Sequence, residues 1–383
     1  MEPMKQQDIY TIQGVDYLQM TIELLKACDL AGDIGSRKRR VGLKPNLVLD
    51  SPASKGATTH PELVDGVLTY LQEKGFENLV VLESSWIGAS TKRALKVNGI
   101  GEVCRRHQVE FVDLQKDAAV PCQAAGMEIS VCGEALKVDY LINMPVLKGH
   151  CQTALTCALK NMKGLIPAAE KRRFHTLGLH KPIAHLNTAV HQDFILVDNI
   201  CGDLDFEEGG NPVEMNRILA FKDPVLCDSF AARTMGYEPE DIGYIPLANK
   251  LGVGSMDVEW AHVHQLRPQN QQLCEQKSQT KGSDRGGDSS RSPKGRVGQL
   301  SGYVHQDDAC SACYGSLIYA LDRLKEEGFL HGKKKESIAI GQGWKGKKGQ
   351  IGVGSCTACF ENSLKGCPPA AADMVSFLRE RWE

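Results

Sequence analysis

The sequence is short of the features that define several classes of protein. Only 6% of its 383 residues are aromatic, and 45 lysine and arginine residues nearly balance 47 aspartate and glutamate residues, for a formal net charge of -2. A near-neutral chain gives no electrostatic reason to expect nucleic-acid binding, because such binding needs a strongly basic face. We therefore expect no nucleic-acid partner.

Long apolar runs are also missing. The N-terminus, MEPMKQQDIYTIQGVDYL, lacks the apolar segment of a signal peptide, and no stretch approaches the roughly 18 apolar residues that cross a bilayer. These absences predict a cytoplasmic protein with no membrane partner. In that reducing compartment disulfides do not account for 14 cysteines, which therefore indicate buried thiols, metal ligands or redox chemistry.

The cysteines that are present fall into a scattered set and a clustered set. We expect the scattered ones to be small buried residues; they are Cys28, Cys104, Cys122, Cys132, Cys151, Cys157, Cys201, Cys227 and Cys274. The clustered ones form DACSAC (Cys310, Cys313) and GSCTACFENSLKGCPP (Cys356, Cys359, Cys367). A CxxC pair places two sulfurs on one turn, and a Cys-Pro ending closes some iron–sulfur binding runs. The clustered set therefore predicts a metal site.

The spacing of these cysteines favours a [4Fe-4S] cluster. Zinc ribbons usually separate their two CxxC pairs by about 15–20 residues, whereas residues 314–355 intervene here. Zinc and a metal-free domain remain the alternatives. Helix N-termini favour anionic groups, and CYGSLIYALDRLKEEG and PPAAADMVSFLRERW, with Pro368 in its first turn, have helical patterns. We predict Cys310, Cys313, Cys356 and Cys367 as ligands, and Cys359 as spare.

Composition divides the chain into three parts. Residues 267–300 have no aromatic residue and are rich in Gln, Ser, Gly and Lys, which predicts a flexible linker or loop. Residues 1–266 alternate strand patterns such as ENLVVLES with helix patterns such as HPELVDGVLTYLQEKG. The expected fold is α/β, with a main domain built on a largely parallel sheet with helices on both faces. Residues 301–383 are expected to form a small C-terminal α/β domain that binds the iron–sulfur cluster.

Polar residues follow the predicted strands of the main domain. Open α/β sheets bind ligands outside the carboxyl ends of their strands, so residues from separate strands should converge there. The residues at these positions are Lys44, Asn46, Glu83, Ser84, Asn143, Lys148, His150 and Asp198.

A basic region overlaps this set. Residues 148–191 hold seven lysine or arginine residues against one acid, Glu170, together with five of the 11 histidines. A basic surface helix would give the same pattern. Clustered cations beside imidazoles also suit an anionic substrate, carboxylate or phosphate. We predict that substrate is bound by Lys44, Asn46, Lys160 and Asn161, and that Lys148 and His150 are catalytic, with Lys148 anchoring the anion and His150 as acid/base.

Several motifs occur in an order that resembles the family known as domain of unknown function 362. They are LKPN, MPVLKGHCQTALTCALKNMKGLIP, the later Lys171 and His175, VDNICG, and NPVEMNRILAFKDPVLCDSFAARTMGYEP. Members of that family are often joined to iron–sulfur segments. The resemblance, to the iron–sulfur-containing branch, implies a cytoplasmic prokaryotic iron–sulfur protein with an α/β core, and it implies no substrate. The cysteines depart from the CxxCxxCxxxCP pattern of two-cluster ferredoxins, which indicates a single cluster.

Together these features predict an iron–sulfur oxidoreductase that acts on a small anionic substrate and exchanges electrons with a redox partner protein. Two alternatives stay open. An iron with an open coordination position would make the protein a non-redox lyase or dehydratase. Without catalysis of its own, the protein would be a ferredoxin-like electron carrier.

Overall fold

The computed structural model describes residues 4–268, 296–333, 335 and 337–382. The predicted linker, residues 267–300, lies mostly outside the described residues, and so does Cys274. The division into residues 1–266, 267–300 and 301–383 therefore stays a prediction.

The described strands are β1 (Asp8–Gln13), β2 (Val41–Pro45), β3 (Leu79–Glu83), β4 (Glu110–Asp113), β5 (Ala119–Ala124), β6 (Met127–Cys132), β7 (Tyr140–Met144), β8 (Lys148–His150), β9 (Ala154–Thr156), β10 (Phe194–Asp203), β11 (Pro212–Phe221), β12 (His262–Leu266), β13 (Val304–Gln306), β14 (Ile338–Ile340), β15 (Ile351–Val353) and β16 (Asn362–Leu364). The described α-helices are α1 (Tyr17–Ala27), α2 (Leu30–Ile34), α3 (Pro61–Glu73), α4 (Thr91–Asn98), α5 (Ile100–His107), α6 (Ala158–Asn161), α7 (Ala168–Thr176), α8 (His180–Ala189), α9 (Pro224–Thr234), α10 (Tyr244–Lys250), α11 (Arg296–Ser301), α12 (Ser311–Glu326) and α13 (Ala371–Trp382).

Eight strands form the main sheet, in the order β12-β1-β11-β10-β7-β2-β3-β4. Neighbouring strands are parallel except where β11 pairs with β1 and with β10. β11 runs the other way because only the loop 204–211 joins it to β10, and a parallel connection needs a dozen or more residues. The predicted, largely parallel sheet is confirmed.

Helices cover both faces of this sheet, as the sequence predicts. Successive side chains of a strand point to opposite faces. In β10, Ile195 and Val197 belong to the apolar core that contains α6, α8, α9 and α10 residues, whereas Phe194 and Leu196 belong to the core that contains α1, α3 and α5 residues. The sheet therefore lies between two helical layers, and its carboxyl edge is left for polar groups.

The C-terminal part has its own parallel sheet, in the order β13-β14-β15-β16. Residues of α11, α12 and α13 form a third apolar core with it. Phe206 and Cys151 of the main domain also belong to that core. The two parts thus pack directly on each other through apolar side chains.

Two local expectations differ from the structure. TALTCALKNMKG, which has a helical pattern, contains strand β9 before the short helix α6, because β9 pairs with β8 as an antiparallel hairpin. The last helix begins at Ala371, after Pro368. A residue that precedes a proline is disfavoured in the α conformation, so Pro369 excludes Pro368 from the helix.

Within the described residues, every helix is too short or too polar to cross a lipid bilayer.

Stability should depend on the sheet's central strands. Leu43 of β2 is 0% exposed, whereas Val15 is 79% exposed. We expect Leu43→Ala to lower the free energy of unfolding by about 2–5 kcal/mol, because it removes buried apolar surface and leaves a cavity. Val15→Ala is the control and should change it little. Denaturant unfolding measures both, and equal effects would contradict the packing described for β2.

Candidate functional site

The carboxyl ends of β2, β3 and β7 bring predicted polar residues together. Lys44 of β2 places its ammonium 2.5 Å from Oε2 of Glu83, which ends the neighbouring strand β3. Asn161 of α6 donates through Nδ2 to Oδ1 of Asn143 in β7, at 2.7 Å. All four side chains are buried. The predicted convergence at this edge of the sheet therefore exists for these residues.

A cavity of about 70 Å³ opens beside this edge, and we call it the basic cavity. Three predicted substrate residues, Asn46, Lys160 and Asn161, line it. Lys44 does not line the cavity, but it forms an ion pair with the lining residue Glu83. Four more lining residues were not predicted as site residues: Lys163, Lys171, His175 and Glu207.

Glu207 connects the basic cavity to the loop that follows β10. Its Oε1 lies 2.6 Å from Nζ of Lys160, and its Oε2 lies 3.0 Å from Nε2 of His150. Burial acts to raise the pKa of Glu207, but Lys160 and His150 outweigh it and hold the pKa well below its usual value. Glu207 is therefore a carboxylate at neutral pH, and it fixes Lys160 in the wall of the cavity.

Lys171 is also held in place. Its ammonium donates to the carbonyl oxygens of Ser84 and Ser85, both at 2.8 Å, and to the Ser84 hydroxyl at 2.6 Å. Burial lowers its pKa to about 8. The three oxygens take all three protons of an ammonium group, so Lys171 contributes positive potential to the cavity without a free donor.

Lys163 differs from the other lysines of the basic cavity. It is partly buried, and in the part of the chain that the structure describes its ammonium makes no hydrogen bond and no ion pair. Burial and the nearby Lys160 lower its pKa to about 7. Lys163 is thus a donor in the wall that an anion could engage.

His150 and Lys148, predicted as catalytic, lie outside the lining of the basic cavity. The backbone amides of Gln152 and Thr153 donate to Nδ1 of His150, at 3.1 and 3.0 Å, so the ring proton resides on Nε2, facing Glu207. Burial and Lys160 lower the pKa of His150 to about 4. The neutral ring therefore faces Glu207 through Nε2, and its acid/base role stays a prediction.

Lys148 is completely buried and donates hydrogen bonds to backbone oxygens. Its ammonium donates to the carbonyl oxygens of Ala57 and Glu207, at 2.6 and 3.0 Å. Burial lowers its pKa to about 8. Lys148 thus connects the loop before α3 to the loop after β10, and both loops border the site.

The four cysteines predicted as ligands line one second cavity, which we call the cysteine cavity; they are Cys310, Cys313, Cys356 and Cys367. Cys359 is exposed and does not line it. Cys310 caps the N-terminus of α12, and Cys356 lies just after β15. Burial first, and then the other three cysteines, raise the pKa of Cys313 to about 12, so the four sulfurs interact electrostatically.

The basic cavity and the cysteine cavity are adjacent. Cys310 and Ile87 line both of them. Burial raises the pKa of Cys310, and the positive charge of Lys163 acts in the opposite direction as a smaller effect. The sequence predicts both groups of residues, but it does not indicate that the two cavities have lining residues in common.

Sequence signals existed for some of the residues that were missed. Glu207 belongs to an acidic loop after β10, at the same edge of the sheet as the predicted residues, and Lys163 and Lys171 belong to the basic region 148–191. Only the folded structure distinguishes the roles of two of these lysines. Within the described residues Lys163 lines the cavity without a hydrogen-bond or ion-pair partner, whereas Lys148 donates to backbone carbonyl oxygens.

The chain belongs to a protein family described as Domain of unknown function (DUF362), whose model matches residues 41–233. The matched segment contains most of the basic cavity and excludes the clustered cysteines.

Relatives with names or structures are distant. A thylakoid-associated protein of Synechocystis sp. is 24% identical over 251 residues, which are 62% of this chain and 76% of that protein. The lactate racemase apoprotein of Thermoanaerobacterium thermosaccharolyticum is 11% identical with a TM-score of 0.38, over 56% of this chain and 54% of that one. A protein of Thermotoga maritima is 16% identical with a TM-score of 0.36, over 62% and 60%. This chain thus covers less than two thirds of either solved structure.

Gly164 provides a test of the buried edge. A Cβ at this position would collide with Oε1 of Glu83 and approach Nζ of Lys44. We expect Gly164→Ala to lower the free energy of unfolding by about 1–3 kcal/mol, as overpacking does. Gly302→Ala is the matched control, because the nearest atom to its added Cβ lies at 3.6 Å. Thermal unfolding measures both, and equal effects would contradict the geometry around Glu83.

Proposed function

We propose that the protein is an iron–sulfur oxidoreductase. In this proposal a [4Fe-4S] cluster is held by Cys310, Cys313, Cys356 and Cys367, and a small anionic substrate binds in the basic cavity. One observation carries it: Cys310 lines both the cysteine cavity and the basic cavity. A group held by these cysteines would therefore lie directly beside a bound anion.

The arrangement of the sulfurs favours a cluster over a single zinc ion. Four sulfurs around one zinc, each at about 2.3 Å, would lie roughly 3.8 Å from one another. Among the described residues, no three of the clustered cysteines have sulfurs within 4.8 Å of one another. More widely spaced sulfurs suit the corners of a larger group.

Among the described residues, the ligand atoms of Cys157, Cys227 and Asp228 do lie within 4.8 Å of one another, and this group is buried in the apolar core. The Asp228 carboxylate there accepts from the backbone amide of Leu159, so it already has a structural partner. This group therefore does not compete with the cysteine cavity as a metal site.

Two features favour redox catalysis over the alternatives. Four cysteines line one cavity, so a cluster bound there would have a protein ligand for every iron, whereas a lyase needs an open iron position. A simple electron carrier would have no use for a basic cavity with an unpaired lysine beside its ligands. Bound there, such a cluster would supply or accept single electrons.

The chain's own residues would bind and orient the substrate. Lys163 offers a free ammonium to a carboxylate or phosphate oxygen, and Lys160 and Lys171 add positive potential in a partly dehydrated site. Glu207 and His150 keep Lys160 in position. The exchanged electrons would come from a redox partner protein, and because the ligands must stay reduced we place the protein in the cytoplasm.

Metal analysis tests the cluster. Anaerobically purified protein should contain about four iron and four sulfide per chain, with an EPR signal after dithionite reduction. Cys310→Ser and Cys367→Ser should lose most of the iron because each removes a ligand. Cys359→Ser is the matched control and should retain it. Stoichiometric zinc without iron, or equal loss in the Cys359 variant, would reject the assignment.

Anion binding tests the basic cavity separately. Inorganic phosphate should raise the melting temperature of the protein, because a ligand that binds only the folded state stabilises it. Lys163→Met should remove most of that increase, since it deletes the free ammonium. Lys92→Met, on the exposed face of α4, should leave the increase unchanged. Equal responses to phosphate in both variants would exclude Lys163 as the anion anchor.

A further inference from the structure

A second reactive arrangement lies at the same edge of the sheet and outside the basic cavity. Asp198 and Cys201 of β10 both face His60, which precedes α3. Oδ2 of Asp198 lies 2.8 Å from Nδ1 of His60, and Nε2 of His60 lies 3.9 Å from Sγ of Cys201. A thiol, an imidazole and a carboxylate in this sequence form the arrangement that activates cysteine nucleophiles.

An irregularity in β10 makes this arrangement possible. Residues three apart in a regular strand point to opposite faces of a sheet. Here the register of β10 against β11 shifts between Asn199 and Cys201, and Oδ1 of Asp198 accepts from the amide of Ile200, at 3.1 Å. Such irregularities re-aim side chains, and this one lets both Asp198 and Cys201 reach the same histidine.

Asp198 also fixes the histidine. Its Oδ2 accepts from the backbone amide of His60, at 2.7 Å, in addition to contacting the ring. Burial acts to lower the pKa of His60, but Asp198 and then Cys201 raise it, to about 10 overall. The ring is therefore an imidazolium at neutral pH, with Nε2–H directed towards the sulfur.

We propose that Cys201 is a redox-sensitive thiol that a small neutral peroxide, such as hydrogen peroxide, oxidises to a sulfenic acid. Cys201 is 5% exposed and His60 8%, so a small oxidant is the class that we propose. A protonated imidazole that is fixed by a carboxylate and faces a cysteine sulfur is the arrangement that activates such thiols. The proposal is independent of the iron–sulfur function.

The reaction balances with peroxide alone. His60 is already protonated, so the thiolate form of Cys201 attacks one peroxide oxygen directly. The S–O bond forms as the O–O bond breaks, so the sulfur loses two electrons and the peroxide gains them. The departing hydroxide takes the proton from Nε2 of His60 and leaves as water.

Cys104 provides an internal control in the same molecule. It is 4% exposed, nearly the same as Cys201, and burial raises the pKa of its thiol to about 11. No histidine contact with its sulfur occurs among the described residues. A difference in reactivity between these two cysteines would therefore report the His60 and Asp198 arrangement and not exposure.

The experiment is peroxide oxidation of the anaerobically purified protein; at each time point catalase removes the peroxide and the protein is unfolded in denaturant that contains dimedone. Mass spectrometry of the tryptic peptides measures the rate of sulfenic acid formation at each cysteine. We expect Cys201 to react on the order of tenfold or more faster than Cys104, because the ring of His60 faces the Cys201 sulfur and activates it. Equal rates in the unaltered protein would overturn the proposal, whatever the variants do.

Two variants separate the contribution of His60 from general effects. His60→Gln should reduce the rate at Cys201 at least tenfold, towards that of Cys104, since it removes the imidazolium. Tyr17→Phe should leave the rate unchanged, because the Tyr17 hydroxyl donates to Asn216 and the substitution keeps the ring that packs on His60. An unchanged rate at Cys201 in a folded His60→Gln protein would also overturn the proposal.

Discussion

Burying ammonium groups at the carboxyl edge of the sheet is the constraint on which the site depends. A buried charge is strongly unfavourable unless it is paired or hydrogen-bonded. Lys44 meets Glu83, Lys160 meets Glu207, and Lys171 meets the oxygens of Ser84 and Ser85. These partners come from strands and loops far apart in the chain, so the lysines hold the edge together while making its potential positive. Within the part of the chain that the structure describes, Lys163 lines the cavity without such a partner, which is why we propose it as the anion anchor.

Much of the architecture could be predicted because it follows local pattern. Continuous apolar runs mark β3 and β10, and amphipathic spacing marks α3. The rule that ligands lie at the carboxyl ends of strands brings Lys44, Glu83 and Asn143 to one edge. The clustering of five cysteines near the C-terminus likewise marks the four that line one cavity, whereas Cys359, which was predicted as spare, lies outside it. Each of these features is encoded within a few neighbouring residues.

The roles of individual cations could not be predicted, because they depend on contacts between distant residues. In the sequence Lys148 and His150 flank a glycine directly after an apolar strand, which suggests a catalytic pair. In the fold Lys148 is bound by carbonyls from two loops, and two backbone amides fix the tautomer of His150. Cys201 was predicted to be a small buried residue, because the sequence does not show that His60 lies beside it. Only the fold brings the two side chains together.

The loop between β10 and β11 explains how the two parts of the protein make one site. Glu207 faces the basic cavity, and the next residue, Glu208, faces α12, where a Cβ on Gly315 would collide with its carboxyl group. Burial and the adjacent Glu207 raise the pKa of Glu208 to about 8, so its carboxyl is largely protonated at neutral pH and its burial against that helix costs less. The helix that Glu208 contacts begins at Ser311, directly after its N-cap residue Cys310. A displacement of this loop would therefore alter both the positioning of Lys160 in the basic cavity and the packing of the helix next to the cysteine cavity.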